Sequence, residues 1–170
     1  MGRLRRDRAP EGTRYRMREK LFAIGDDFWV ENEAGDQAFK VDGKALRMRD
    51  TLILQDASGG ELFKVQKEML HVRDTMKIER DGATAATVKK ALIHALRDRF
   101  SIEVEDGADL EAKGNIVDHE YTIERDGDHV AEISKRWFSI RDTYGIEIAS
   151  DENDALILAV VVCIDQISHD

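Results

Sequence analysis

The residues with the chemistry to make a site are few and scattered. Five histidines, His71, His94, His119, His129 and His169, fall at intervals that match no common metal-ligand spacing. A single cysteine, Cys163, lies inside an apolar run, where it is expected to act as an inert small hydrophobe. The densest polar triplet is Asp118-His119-Glu120. On a strand these neighbours would point to opposite faces, which argues against one acid–base or metal site. No phosphate loop, dinucleotide glycine fingerprint or nucleophile elbow is present. The reading therefore assigns no catalytic residue, no cofactor and no metal ligand. Trp29, Trp137 and Phe138 are expected in the core or rim of the fold, since no basic residues are interleaved with them as in a base-stacking platform.

Cations supply the remaining candidates. Lys89-Lys90 and Lys135-Arg136 occupy equivalent places in two copies of a repeated unit, so they are candidate contacts for an anion or lipid headgroup, with a solvated surface as the simpler role. Because strand neighbours diverge, at most one residue of each pair could join a common patch. Arg3, Arg5, Arg6 and Arg8 form a second basic group in the arm. Residues 1–20 hold eight basic and three acidic side chains, a local charge of +5, within a chain of net charge −9. The remaining 150 residues thus carry −14. A body so acidic repels nucleic acid and anionic membrane, leaving the arm as the only part suited to them.

The element that must organise everything else is the run Ala155 to Ile164. A helix apolar all round has to be enclosed. Ten residues reach only about 15 Å, half the thickness of a bilayer core, so protein rather than lipid is the expected enclosure. Ser150 to Asp154 place capping residues and carboxylates before the run, as a helix N-terminus prefers, giving a helix over about 151–168. Leu156, Ile157, Leu158, Val160, Val161 and Ile164 are its expected core residues. A buried strand would need covering helices that the sequence does not supply.

Repeated hairpins provide the enclosure. Phe28 to Val41 and Leu52 to Val65 both read strand, glycine turn, strand, and the form returns from Met76, Phe100 and Tyr121. Asp-Gly at 81, 106 and 126 signals hairpin turns that need positive φ. Arg-Asp-Thr at 49–51, 73–75 and 141–143, with Arg97-Asp98-Arg99, marks a bend where Asp binds local backbone and Thr or Arg restarts a strand. The organisation expected is a basic, flexible arm over 1–14 and one domain over 15–170.

Hairpins wrapped around one apolar C-terminal helix resemble the tubby C-terminal-like fold, and within it the LURP-one-related family. The match rests on Tyr15 to Phe28, Lys40 to Leu46, Val130 to Trp137 followed by Asp142-Thr143-Tyr144, and Asp154 to Ala159. It extends over about residues 15 to 168. The resemblance implies a closed antiparallel barrel of about twelve strands with the last helix threaded through it. It implies no agreed activity. Tubby proteins bind phosphoinositide headgroups through basic side chains, and phospholipid scramblases share the fold, but no motif here places a matching Lys and Arg set.

The expected function is a non-enzymatic binding or scaffold module recognising a small molecule, a lipid headgroup or a protein on the outside of the barrel. The alternatives are an arm that docks on anionic membrane or nucleic acid with the barrel as scaffold, and an uncharacterised enzyme, since fold does not decide activity. The single cysteine and the missing apolar leader point to a cytoplasmic protein without a transmembrane span.

Overall fold

The computed structural model describes residues 12–18, 27–43, 51–67, 75–91, 98–137 and 143–168. Twelve strands form a closed antiparallel barrel: β1 (Thr13–Arg18), β2 (Asp27–Asn32), β3 (Gln37–Asp42), β4 (Thr51–Asp56), β5 (Glu61–Lys67), β6 (Thr75–Arg80), β7 (Ala83–Lys90), β8 (Asp98–Val104), β9 (Leu110–Asn115), β10 (Glu120–Arg125), β11 (Asp128–Ser134) and β12 (Thr143–Ile148). Each strand pairs with its sequence neighbours, and β1 closes the ring against β12 through Thr13↔Ile148 to Arg18↔Thr143. Closure leaves no unpaired sheet edge. The barrel starts at Thr13, so Thr13 and Arg14, which the sequence reading gives to the arm, belong to its wall. Arg3, Arg5, Arg6 and Arg8 lie outside the described residues.

The hairpin units share a device. Register shifts by one residue between Val30 and Glu31, Leu54 and Gln55, Ile78 and Glu79, and Ile123 and Glu124, each time just before the turn. A bulge at that place sharpens twist and helps the sheet curl on itself. Asp81-Gly82 and Asp126-Gly127 have φ of 51° and 80°, and 51° and 85°, as a tight two-residue turn requires. Asp106-Gly107 does not: neither residue has positive φ, because the loop is wider and Asp109 Oδ1 accepts the Val104 amide at 3.1 Å. Thr51, Thr75 and Thr143 start β4, β6 and β12 and are all buried, while β8 starts at Asp98. Arg49, Asp50, Arg73, Asp74, Arg97, Arg141 and Asp142 have no described side chain.

Helix α1 (Asp154–Ser168) fills the barrel. Every residue from Ile157 to Ile164 is 1% exposed or less, and each packs against inward side chains of the wall such as Leu54, Val65, Ile78, Ile102 and Ile146. Ile157, Leu158, Val160, Val161 and Ile164 are therefore core, whereas Leu156 is half-buried at the barrel mouth. The helix starts later than the expected 151 because Asp151 has φ 72°, outside the helical region, and Asn153 is the cap. Asn153 Oδ1 accepts the Leu156 amide and its carbonyl accepts the Ile157 amide, both at 3.1 Å.

Two side-chain locks fix the entry of α1. Arg125 donates to both oxygens of Glu152 at 2.7 and 2.9 Å, a bidentate pair that holds the guanidinium's proton more tightly still. The Tyr15 hydroxyl donates to Asp154 Oδ2 at 2.5 Å. Burial and then that carboxylate push the Tyr15 phenol well above its ordinary range. The turns of the hairpins gather at this same end, and carboxylates such as Asp36, Asp56, Asp81, Asp106 and Asp126 make it acid-rich.

Trp29 and Trp137 are not core residues. Both are half-exposed on the outer wall with a cation against the ring, Lys40 Nζ at 5.7 Å and the Arg14 guanidinium at 4.5 Å. Phe138 lies outside the described residues.

Candidate functional site

With α1 occupying the interior, side chains able to meet a partner are those pointing outward. Strand pairing assembles six of them into one transverse row: Arg99, Lys113, Thr122, Glu132, Glu147 and Arg14, from β8, β9, β10, β11, β12 and β1. Cross-strand neighbours on one face stand about 5 Å apart, so the row is a continuous strip in which two cations, a threonine, two carboxylates and a further cation follow one another. Arg14 binds Glu147 at 2.7 Å at one end, and Arg99 reaches Glu111 at 3.3 Å at the other.

A cleft of about 620 Å³ opens over the middle of this row, lined by Lys113, Asn115, Glu120, Thr122, Glu132 and Arg136, with Gly114 in its floor. Its groups differ in how strongly they are engaged. Lys113 Nζ is held by Glu124 at 2.8 Å. Glu120 Oε1 accepts from the Ser134 hydroxyl at 3.1 Å and the Lys135 amide at 3.0 Å, which closes the end of β11. Arg136 Nε lies 3.7 Å from Glu120, and the side chain is 82% exposed. Glu132 makes no ion pair among the described residues. Cations interleaved with carboxylates do not make an anion sink; they suit a ligand presenting both signs of charge and hydrogen-bonding groups.

The floor of the cleft is a close backbone approach. A Cβ on Gly114 would lie 2.8 Å from both Glu120 O and Tyr121 Cα, and φ there is 138°. Replacing Gly114 by Ala is expected to cost about 1–3 kcal/mol, from backbone strain and displacement of β10. Urea denaturation reads that loss, and an unchanged midpoint would contradict the tight floor.

Behind this floor lies a polar cluster in the core. His119 ends the turn after β9 with φ 54°, and its Nε2 is 3.2 Å from Asp165 Oδ1 on α1. Both side chains are almost wholly buried. The His119 ring stacks on Tyr144 with centroids 4.2 Å apart and planes 22° from parallel. The Tyr144 hydroxyl donates to the other Asp165 oxygen and lies 3.8 Å from Met17 Sδ. Burial first, and the Asp165 charge second, push the Tyr121 phenol well above its ordinary range. Its hydroxyl is buried with no hydrogen-bond partner among the described residues.

The sequence-predicted triplet thus splits, but by turn geometry and not by strand alternation, since Asp118 and His119 lie in the turn and only Glu120 is on β10. His119 turns inward, Glu120 enters the cleft, and Asp118 accepts from Asn115 Nδ2 at 2.8 Å. What sequence reasoning missed is His119 as a core partner; the available signal was Asp165, the only charged residue after Asp154 in α1. The predicted cation pairs do not meet. Lys89 binds Glu103 at 3.2 Å at the end of β7, Lys90 is exposed beside it, and Lys135 and Arg136 follow β11. Three strands separate β7 from β11, so the pairs stand about 19 Å apart around the wall.

The chain is similar to known proteins in sequence and in fold. The chain is 26% identical over 154 residues to the uncharacterized protein YxjI of Bacillus subtilis (strain 168), spanning 90% of this chain and 92% of that protein. An X-ray structure of an Arabidopsis thaliana protein superposes with a TM-score of 0.71 at 18% identity, covering 94% of this chain and 93% of the other, which is a likeness of fold. The LURP-one-related family model matches residues 13–165, from the first residue of β1 to the buried Asp165. The chain belongs to the LURP-one-related family.

Proposed function

We propose that the protein is a non-enzymatic binding module that holds a polypeptide segment of mixed charge against the outer wall of its barrel, in the cleft between Lys113, Glu120, Glu132 and Arg136. The observation that carries this reading is the filled interior: α1 takes the space in which other barrels hold ligands, so recognition moves outside. The cleft lies on rigid strands, which makes it a pre-organised surface, and its interleaved charges favour a partner with both signs. Among the described residues no helix is long and apolar enough to cross a membrane, and we place the protein in the cytoplasm, where buried Cys163 stays reduced.

Site-specific photo-crosslinking in the host cell tests this reading. A photoreactive residue at Thr122 or Glu132 should give a discrete protein adduct that Arg136→Glu abolishes. The same residue at Gln55, on β4 diametrically across the ring, should give none. Equal adducts from Gln55, or none from the cleft, would sink the proposal.

A further inference from the structure

We infer that the outer cleft is one half of a longer groove, and that the segment it holds is extended and carries a basic side chain at each end of an acidic or polar centre. The inference rests on the reading of the cleft as the binding surface and adds the chemistry of the partner. A second concavity of about 500 Å³ lies on the same wall, lined by Arg99, Ser101, Asp109, Glu111, Glu124 and Asp126. Lys113 lines both, so the two meet over β9. Together they follow that six-residue strand from Asn115 to Asp109, about 20 Å. A groove that runs along strands suits an extended chain, whose alternate side chains face the wall.

The charges of the groove set which side chains those are. Its two halves hold six carboxylates and three cations, and each cation is held by a carboxylate of the groove itself: Arg99 by Glu111 at 3.3 Å, Lys113 by Glu124 at 2.8 Å and Arg136 by Glu120 at 3.7 Å. The other three carboxylates, Asp109, Asp126 and Glu132, are exposed and make no ion pair among the described residues. They stand at opposite ends. Glu132 lies across from Thr122, and Asp126 is four residues beyond Thr122, so the two are about 14 Å apart. Four residues of extended chain cover about 13 Å, so basic side chains four residues apart meet both ends. The residue midway between them faces the half-exposed Lys113, which favours a carboxylate or hydroxyl there. Among the described residues no three carboxylates or histidines gather as a metal ion requires, so the excess negative charge is spread along the groove and suits separate cations.

Synthetic peptides titrated into the full chain, read by amide NMR spectra, test this. Ser-Lys-Ser-Asp-Ser-Lys-Ser should shift the amides of Lys113, Gly127 and Glu132 together. It should bind about tenfold tighter than its isomer Ser-Ser-Lys-Lys-Asp-Ser-Ser or the charge-inverted Ser-Asp-Ser-Lys-Ser-Asp-Ser. Asn adopts the φ of 51° found at Asp126 readily, so Asp126→Asn keeps its turn. Asp126→Asn and Glu132→Gln should each weaken the first peptide about threefold and together about tenfold. Asp36→Asn, the same loss of charge on the opposite side of the ring, should change nothing. Equal affinity for the isomer, an equal effect of Asp36→Asn, or no binding of the first peptide overturns the inference. Binding that appears only when Arg3, Arg5, Arg6 and Arg8 are all replaced by Ser makes the chain's own arm the occupant, which also overturns it. Weakening by Glu132→Gln but not by Asp126→Asn overturns the long groove and leaves the cleft reading standing. Failure of the crosslinking is distinct: it removes the partner in the cell, not the charge preference that the peptides measure.

Discussion

A chain cut after Ser150 does not fold. It loses α1 and with it seven large aliphatic side chains, Ile157, Leu158, Val160, Val161, Val162, Ile164 and Ile167, all buried. At ~1.5–3 kcal/mol each, their gross burial is on the order of 10–20 kcal/mol. Net stability of a domain is about 5–15 kcal/mol, so the deficit reaches the whole of it. The loss is compounded because the inward side chains of the barrel wall lose the helix they pack against inside the ring. Neither a narrower barrel nor a flat sheet is open to the fragment, since its hairpins carry bulges that curve them around something of this width. Near-ultraviolet circular dichroism and thermal melting are the measurements: the fragment should show no tertiary signal and no cooperative transition. A soluble 1–150 fragment that melts cooperatively would refute the enclosed-helix account.

The second large effect is expected at Asp165. Replacing it by Ala removes the acceptor of the Tyr144 hydroxyl and the partner of His119 in a site closed to water. A buried polar group left without its partner costs about 1–3 kcal/mol, and here two groups, the Tyr144 hydroxyl and the His119 ring, lose theirs at once. Tyr144→Phe, which keeps the ring stacked on His119, should cost about 1–3 kcal/mol. The double variant should cost less than the two losses added, because Phe removes a group that Asp165→Ala orphans. Urea midpoints of the three variants measure this. A loss below about 0.5 kcal/mol for Asp165→Ala would place Asp165 in contact with solvent, against the burial described here.

Which features could be read from sequence depended on whether their cause was local. The hairpins were legible because each is written within a short stretch, two strands and the turn residues that join them. The enclosed helix was legible because apolarity on all sides has only one remedy in water. The wide turn at Asp106-Gly107 was not: its geometry is set by the Asp109 side chain, beyond the dipeptide that signals it. The helix start was misplaced because Asp151, by composition a capping residue, takes φ 72° instead.

Little of the site was legible. The transverse row from Arg99 to Arg14 is produced by strand register, and register follows from bulges that no single strand announces. Lys40 lies directly across from Trp29 in the β2–β3 pairing, so that contact was within reach of a hairpin register worked out from the turn. Arg14 against Trp137 was out of reach, since β1 and the segment after β11 meet only through barrel closure. His119 and Asp165 are joined in the same non-local way.

Cys163 reports on the account most directly. Its thiol sits inside α1 with no exposure, and burial pushes its ionisation far above the ordinary thiol range, so only an opened barrel can react. Thiol labelling of the full chain, measured across a urea series below the unfolding transition, gives the free energy of the opening that exposes it. This free energy should equal that of global unfolding and fall with urea at the same slope, because the helix cannot leave without the wall coming apart. Labelling through a smaller, urea-insensitive opening would mean that α1 slips out of an intact barrel, and the claim that the filled interior directs recognition to the outer surface would fall with it.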